Sequence, residues 1–401
     1  MNRAFIENKK DCSGCGACIA ACPKKSLSLE KDKLGFSYPK FCDLDACINC
    51  GLCRKVCPQI NKRHELTFTS PKVYYGQHLS EHILEESASG GFFSSLATYV
   101  ITTLHGVVWG VMMASNGQTE FTCVNDINDL SKIRGSKYVE IKKPLDFALI
   151  KKQITDGIFV MVSGLPCQIL GLYNFLHKKS YPNLLLVDLL CYGIQSPKMW
   201  YEYLKEINPK CKPIARISMR NKYKSWFNYS MKIEFSDNSH YLSSRWNDPW
   251  LLSYSKALYI RESCTDCQSK KFPKCSDLTI GDYWGIRKKK VDSINQRNGV
   301  SLAFVNSEKG LSIWNSISKY MTTCEMQDID IPTEIANQVK SHSFNKNREQ
   351  FLRDVPIKGF SKSVYSVVDY GVKLRYKKWK SKNIIPIKIK IIHLIKQWLP
   401  K

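Results

Sequence analysis

The chain has 401 residues, 60 Lys+Arg against 35 Asp+Glu for a formal net charge of +25, and 17 cysteines. That length leaves room for two or three domains with cores of their own. The polar start, 1–11, has no apolar signal segment, so the cysteines are expected in a reducing cytoplasm as metal-bound thiols, not as a disulfide framework.

No stretch approaches 18 uninterrupted apolar residues, so no transmembrane helix is expected. Only 13 of the 60 basic residues are Arg. The Lys excess, alongside plentiful Ile and Asn, reads in part as composition bias. No recognised nucleic-acid motif is present, and nucleic acid is not an expected partner.

Residues 1–62 contain Cys12-x2-Cys15-x2-Cys18-x3-Cys22-Pro23, repeated as Cys47-x2-Cys50-x2-Cys53-x3-Cys57-Pro58. This is the spacing of bacterial two-cluster ferredoxins, in which the fourth Cys of each run ligates the other cluster. One 4Fe-4S cube is therefore expected on Cys12, Cys15, Cys18 and Cys57, and a second on Cys47, Cys50, Cys53 and Cys22. Zinc would ask for two C-x2-C pairs, not two triplets each followed by Cys-Pro. Cys42 is left over as a loop thiol. The expected unit is a small α+β, ferredoxin-like domain. The polar stretch 61–71 then reads as a linker that ends at a proline.

Residues 72–345 alternate helix-like and strand-like segments. Helices are expected over 92–103, 145–155 and 168–177, and strands over 106–112, 158–163 and 184–190. The last two are apolar runs suited to buried strands. Ser196-Pro197 forms an N-cap and N1 pair before a helix over 199–207. This order predicts an α/β domain with a parallel sheet covered on both faces. Alternation over 229–236, a turn at Asp237-Asn238 and a return over 240–244 predict an inserted β hairpin, making the sheet architecture mixed. A strand over 300–305 and a helix over 308–320 complete the domain.

Chemistry gathers at the strand ends. Ser163-Gly164-Leu165-Pro166-Cys167-Gln168 follows one buried strand, and Asp188-Leu189-Leu190-Cys191-Tyr192-Gly193 closes the next. Carboxyl ends of parallel strands share one edge, where ligands bind. Cys264-x2-Cys267, with Cys275 nearby, is by itself open to zinc, a redox disulfide or half a cluster. With Cys167 and Cys191 it completes four thiolates, and a third cube is the economical reading. Ser87-Ala88-Ser89-Gly90-Gly91 precedes an apolar helix and offers free N–H groups to a phosphate. Arg134-Gly135-Ser136-Lys137-Tyr138 is a second short polar loop suited to a pyrophosphate. Asp282-Tyr283-Trp284 sets aromatic rings beside a carboxylate and can wall a flavin or a substrate. No G-x-G-x-x-G run supports a nicotinamide site, and no catalytic side chain is singled out.

Residues 346–401 read as a basic, partly amphipathic tail. Lys388, Lys390 and Lys396 are interleaved with Ile387, Ile389, Ile391, Ile392, Leu394, Ile395, Trp398 and Leu399 after Pro386. That mixture suits the surface of an anionic membrane, or packing on the protein's own core. It places the protein in the cytoplasm, with a peripheral position on the inner membrane face as the variant reading.

Six segments, in order, resemble the family of coenzyme F-420 hydrogenase/dehydrogenase beta subunits. They are Ser-x-Ser-Gly-Gly at 87–91, Arg-Gly-Ser-Lys-Tyr at 134–138, Gly-Leu-Pro-Cys-Gln at 164–168, Asp-Leu-Leu-Cys-Tyr-Gly at 188–193, Cys-Thr-Asp-Cys at 264–267 and Ser-Asp-Leu-Thr-Ile-Gly-Asp-Tyr-Trp-Gly at 276–285. The resemblance implies an FAD-containing iron–sulfur oxidoreductase, with FAD between a two-electron partner and the iron–sulfur relay. The expected flavin contacts are Ser89, Gly90, Gly91, Gly135, Ser136, Lys137, Tyr138, Asp282 and Trp284, and the third cluster falls to Cys167, Cys191, Cys264 and Cys267. The implied partner is a deazaflavin coenzyme or a redox protein. The family also contains ferredoxin-fed reductases of unrelated substrates and members linked to surface polysaccharides. A non-catalytic electron-transfer role within a larger complex is the remaining reading. The chain departs from the pattern at Tyr192, where His is expected, and at Cys275, where no thiol is.

Overall fold

The structure is a computed structural model that describes residues 9–61, 71–288, 291–326, 339–341 and 343–368. In the N-terminal module, Leu27–Lys31 (β1) pairs antiparallel with Ser37–Phe41 (β2), with Leu29 opposite Pro39. Asp32 shapes the turn between them by accepting from the Leu34 and Phe36 amides, both at 2.9 Å. The short helices Ala17–Ala20 and Leu52–Lys55 each carry one cysteine run out of its loop.

The main body is built on Lys72–His78 (β3), Val107–Met113 (β4), Thr119–Val124 (β5), Val160–Gly164 (β6), Leu184–Leu189 (β7), Leu278–Asp282 (β11), Ser301–Val305 (β12) and Met321–Met326 (β13). Their order across the sheet is β13-β3-β12-β11-β7-β6-β4-β5. The centre, β11-β7-β6-β4, is parallel. β5 closes one side antiparallel, and β12, β3 and β13 extend the other antiparallel. The fold is thus mixed α/β, and the wholly parallel sheet read from the segment order holds only at its centre.

Strand alternation explains why the centre is apolar throughout. Met161, Leu185 and Val187 face the helix Phe92–Thr102, packing with Phe92, Leu96 and Val100. Val160, Val162, Leu184 and Leu186 face the helix Pro166–Phe175, packing with Ile169 and Leu172. With both faces covered, every second position on each face must be apolar. Leu185 is completely buried, and truncating such a leucine to Ala costs about 2–5 kcal/mol.

Between β7 and β11 the chain inserts a three-stranded antiparallel sheet: Ile214–Asn221 (β8), Ser230–Phe235 (β9) and His240–Ser244 (β10), in the order β10-β9-β8. The predicted hairpin is β9–β10, turning at Asn238 with φ 64°. The helix Pro197–Ile207 begins at the predicted cap, Ser196 Oγ accepting from the Met199 amide at 3.1 Å. The insert, this helix, Pro249–Ser255, Arg348–Lys358 and Phe360–Val367 share one core around Trp200, Tyr203, Trp250, Tyr259, Phe351 and Phe360. Residues 348–368 therefore belong to the main body. The boundary expected at 346 cuts through this aromatic core, because sequence basicity masked the apolar faces of two short helices. The segment after Pro386 lies outside the described residues. Among the described residues no helix is long and apolar enough to cross a membrane.

The N-terminal module is fused to this body. Cys15, Ala17 and Val56 sit in the same core as Ile169, Leu172 and Phe147. Gly171 makes the close approach possible: a Cβ there would lie 3.2 Å from both Ala17 Cβ and Cys15 Sγ. The Asn174 amide donates to the Val56 carbonyl at 3.3 Å, and Ser196 Oγ donates to the Leu34 carbonyl at 2.6 Å. Arg261, wholly buried, donates to the carbonyls of Cys12 and Ser37, both at 2.7 Å, and pairs with Glu140.

Candidate functional site

Two small cavities in the N-terminal module collect the two predicted cysteine quartets. One is lined by Cys12, Cys15, Cys18 and Cys57, with Cys53 also at its wall. The other is lined by Cys22, Cys47, Cys50 and Cys53. They differ in depth: Cys12 and Cys15 are buried against the main body, whereas Cys50 is exposed. Burial first, then neighbouring thiols, pushes the Cys15 thiol up to about 12; the same causes raise Cys18. Thiols so crowded and desolvated become thiolates together only beside a strong positive charge, which is the condition an iron–sulfur cube supplies.

A third cavity of about 30 Å³ collects Cys167, Cys191, Cys264 and Cys267. Cys167 sits in the first turn of the helix that follows β6, and Cys191 follows β7, so the parallel strand ends bring them together as the topology predicts. Burial, then Cys267, Cys15, Cys191 and Cys264, holds the Cys167 thiol well above its usual range. Burial, then Cys191, raises Cys264 to about 12. Lys270, almost fully buried, lines the same cavity and donates to the Tyr192 carbonyl at 2.7 Å. Among the described residues no three His, Cys, Asp or Glu side chains close on a single metal ion; these four thiols surround a space. Cys275 is not at this cavity: it packs against the core that holds Ile169 and Leu172. Cys42 lies exposed, its thiol donating to the Lys25 carbonyl at 3.4 Å.

The fourth cavity is the large one, about 380 Å³, at the carboxyl ends of β6, β7 and β11. Ser89, Gly91, Gly135, Ser136, Lys137, Tyr138, Asp282 and Trp284 all line it. Gly90 does not. It is turned into the sheet, its amide donating to Ser301 Oγ at 2.8 Å, and a Cβ there would lie 2.4 Å from the Gly76 carbonyl oxygen. Its small size serves the approach of the loop to β3 and β12, which corrects its expected role as a flavin contact. Lys137 Nζ donates to the Arg134 carbonyl at 2.8 Å, and burial pushes its ammonium down to about 7. Tyr192, at the position where the family pattern has His, tilts against Tyr254, which stacks on Tyr138 at 4.2 Å.

Several wall residues had no sequence signal. Arg220 of β8 is 4% exposed and pairs with Asp282 through both terminal nitrogens. The Trp226 indole also donates to Asp282, at 3.1 Å. Lys222 anchors the 87–91 loop, donating to the Leu84 and Ser89 carbonyls at 2.6 Å. Arginine and lysine alternating toward one side of an otherwise apolar strand was the available clue.

The four cavities abut in series. Cys53 is common to the two thiol cavities of the module, Ser13 and Gly14 to the buried one and the third, and Ile141, Leu165, Gln168, Cys191 and Ile194 to the third and the large cavity.

Paired cysteine quartets docked on a mixed α/β body with a strand-end cavity define an iron–sulfur protein built for electron transfer. Residues 159–330 belong to the family described as the C terminus of the coenzyme F420 hydrogenase/dehydrogenase beta subunit, and residues 11–60 match a 4Fe-4S dicluster domain. The F subunit of the F(420)H(2) dehydrogenase of Methanosarcina mazei is 23% identical over 187 residues, 45% of this chain and 53% of that protein. The chain thus spans about half the length of this relative. The VorC subunit of the ketoisovalerate oxidoreductase of Methanothermobacter marburgensis is 34% identical over 64 residues, 15% of this chain and 80% of that protein. A chain of the F420-reducing nickel–iron hydrogenase complex from Methanosarcina barkeri is similar with a TM-score of 0.47 and 14% identity, over 73% of this chain and 96% of that one.

Proposed function

We propose that the chain is a flavo-iron–sulfur oxidoreductase that passes electrons between a protein partner and an organic substrate, a deazaflavin coenzyme or another molecule reduced at the large cavity. The observation that carries this reading is the unbroken series of cavities from exposed Cys50 to the large cavity through Cys191. Cys12, Cys15, Cys18 and Cys57, Cys22, Cys47, Cys50 and Cys53, and Cys167, Cys191, Cys264 and Cys267 would hold three 4Fe-4S clusters, which supply single-electron chemistry. The large cavity fits FAD in its donor set. Ser89, Gly91 and Ser136 offer hydrogen-bond groups at its wall, Arg134 and Lys137 offer cations, and the buried Arg220 Nε–H has no partner in the protein. FAD would exchange hydride with the substrate and single electrons with the relay.

The residues' own tasks follow from their placement. Arg134 and Lys137 attract phosphate oxygens, Tyr138, Tyr254 and Trp284 exclude water beside a planar ring, and Asp282 fixes Arg220 in orientation. The named relatives are subunits, which supports a redox protein as partner. Anaerobic absorbance spectra with cofactor extraction test the proposal: FAD bound per chain with iron–sulfur absorption supports it, and a flavin-free protein reduces it to an electron-transfer subunit. Reduction by the deazaflavin coenzyme against reduction only by reduced ferredoxin separates the two substrate readings.

A further inference from the structure

The inserted sheet delivers two guanidinium groups to the large cavity. Arg220 lies in β8 and Arg245 directly follows β10. They flank one ring: Arg220 Cζ is 4.6 Å and Arg245 Cζ 4.4 Å from the centre of Tyr229. Both also face Trp284, at 5.0 and 5.9 Å.

The two differ in how they are paired. Arg220 is matched by Asp282, although its Nε–H is left without an acceptor. Arg245 has no carboxylate among the described residues. Its hydrogen bond is a long one, 3.5 Å to the Phe227 carbonyl, and its remaining neighbours are the rings of Tyr229, Trp246 and Trp284. A guanidinium held by aromatic faces is positioned without being neutralised, and keeps its planar donor fork for a ligand.

The cavity wall carries Arg134, Lys137, Arg220 and Arg245 against a single acid, Asp282. On the reading proposed above, the flavin pyrophosphate takes Arg134 and Lys137, and Asp282 takes Arg220. Arg245 is then in excess. We propose that Arg245, with the free Nε–H of Arg220, forms an anion subsite for the organic substrate, so that the substrate carries a carboxylate or phosphate group beside the part that seats against Trp284. The insert is then the specificity element, and the strand ends supply the redox site. Arg245 binds and orients; it moves no proton or electron.

The test titrates the full chain with benzoate, phenyl phosphate and the neutral isostere benzamide, read by tryptophan fluorescence, with FAD per chain measured by extraction in parallel. Wild type is expected to bind at least one anion about tenfold or more tightly than benzamide, the size of a charge-assisted hydrogen bond. Arg245→Met should erase that preference and keep FAD per chain unchanged; Arg245→Lys should restore part of it. Equal affinity for the anions and benzamide in wild type overturns the proposal, as does a preference that survives in both Arg245→Met and Arg245→Gln. Loss of FAD in Arg245→Met also overturns it, by assigning the cation to the flavin. A wild type without flavin removes the flavin reading alone, since the fluorescence comparison needs only the protein's own tryptophans.

Discussion

Arg261 and Glu140 form an ion pair that no solvent reaches, their side chains 0% and 7% exposed. Glu140 also accepts from the Ser37 amide at 2.6 Å, and Arg261 lies 4.2 Å from the Tyr38 ring centre. The pair thus joins the cysteine module to the main body from both sides. Removing one partner of a buried pair leaves the other charge unpaired, at a cost of about 3–5 kcal/mol. Arg261→Met is expected to destabilise the chain by that amount in urea unfolding, and Arg261→Met with Glu140→Gln by less than the sum of the two single changes. Additive losses would show that the two side chains are not coupled.

Iron content tests the third thiol cavity. The full chain should hold about twelve irons, from three four-iron cubes. Cys264→Ser should lower this to about eight, while Cys275→Ser, away from the cavity, should leave it unchanged. Loss of iron in Cys275→Ser and retention in Cys264→Ser would reverse the ligand assignment.

Flavin affinity should depend on pH through Lys137. Burial holds its ammonium down at about 7, so above that pH the free site is largely neutral. A bound phosphate group raises the ammonium's pKa again, and binding takes up a proton. Affinity for FAD should therefore rise as pH falls toward 7 and level off below it, by at most about tenfold per pH unit for one proton. Lys137→Met should flatten the profile in fluorescence titrations of the apo-flavin chain. An unchanged slope in that variant would clear Lys137 of the role.

Gly90→Val should fail for a reason unrelated to flavin. Its side chain would enter the space of the Gly76 carbonyl and the Ser301 amide. We expect loss of folded yield, by about 1–3 kcal/mol or more of overpacking cost, measured as a lower urea midpoint in the flavin-free chain. A normal midpoint with lost flavin would return Gly90 to the cavity wall.

Membrane association through the basic segment is tested with a chain ending at Val368, since helix Phe360–Val367 belongs to the aromatic core. The full chain should co-sediment with anionic liposomes at low salt and release at high salt, and the shortened chain should stay in solution. Equal sedimentation of both removes the membrane role.

The cysteine pattern was legible because cluster chemistry fixes thiol spacing along the chain. Buried β6 and β7 were legible because two covered faces leave no polar position. β3, β5 and β13 were not: each is antiparallel at the flank of the sheet, with polar residues interspersed, and β3 finds its neighbours β12 and β13 only after the rest of the domain has formed. Arg220 and Arg245 were illegible for a related reason. Their role comes from the insert folding back over the strand ends, a juxtaposition that no local spacing encodes.

The absence of a side chain at Gly171 has a consequence for engineering. The surface beneath the cysteine module is cut to the shape of Cys15 and Ala17, with a Cβ at Gly171 already tighter than ordinary contact. A ferredoxin grafted from another protein would bring a different residue to that spot and lose the carbonyl that Asn174 meets at Val56. Chimeras of this chain should therefore be cut within the main body, so that module and footprint are exchanged as one piece.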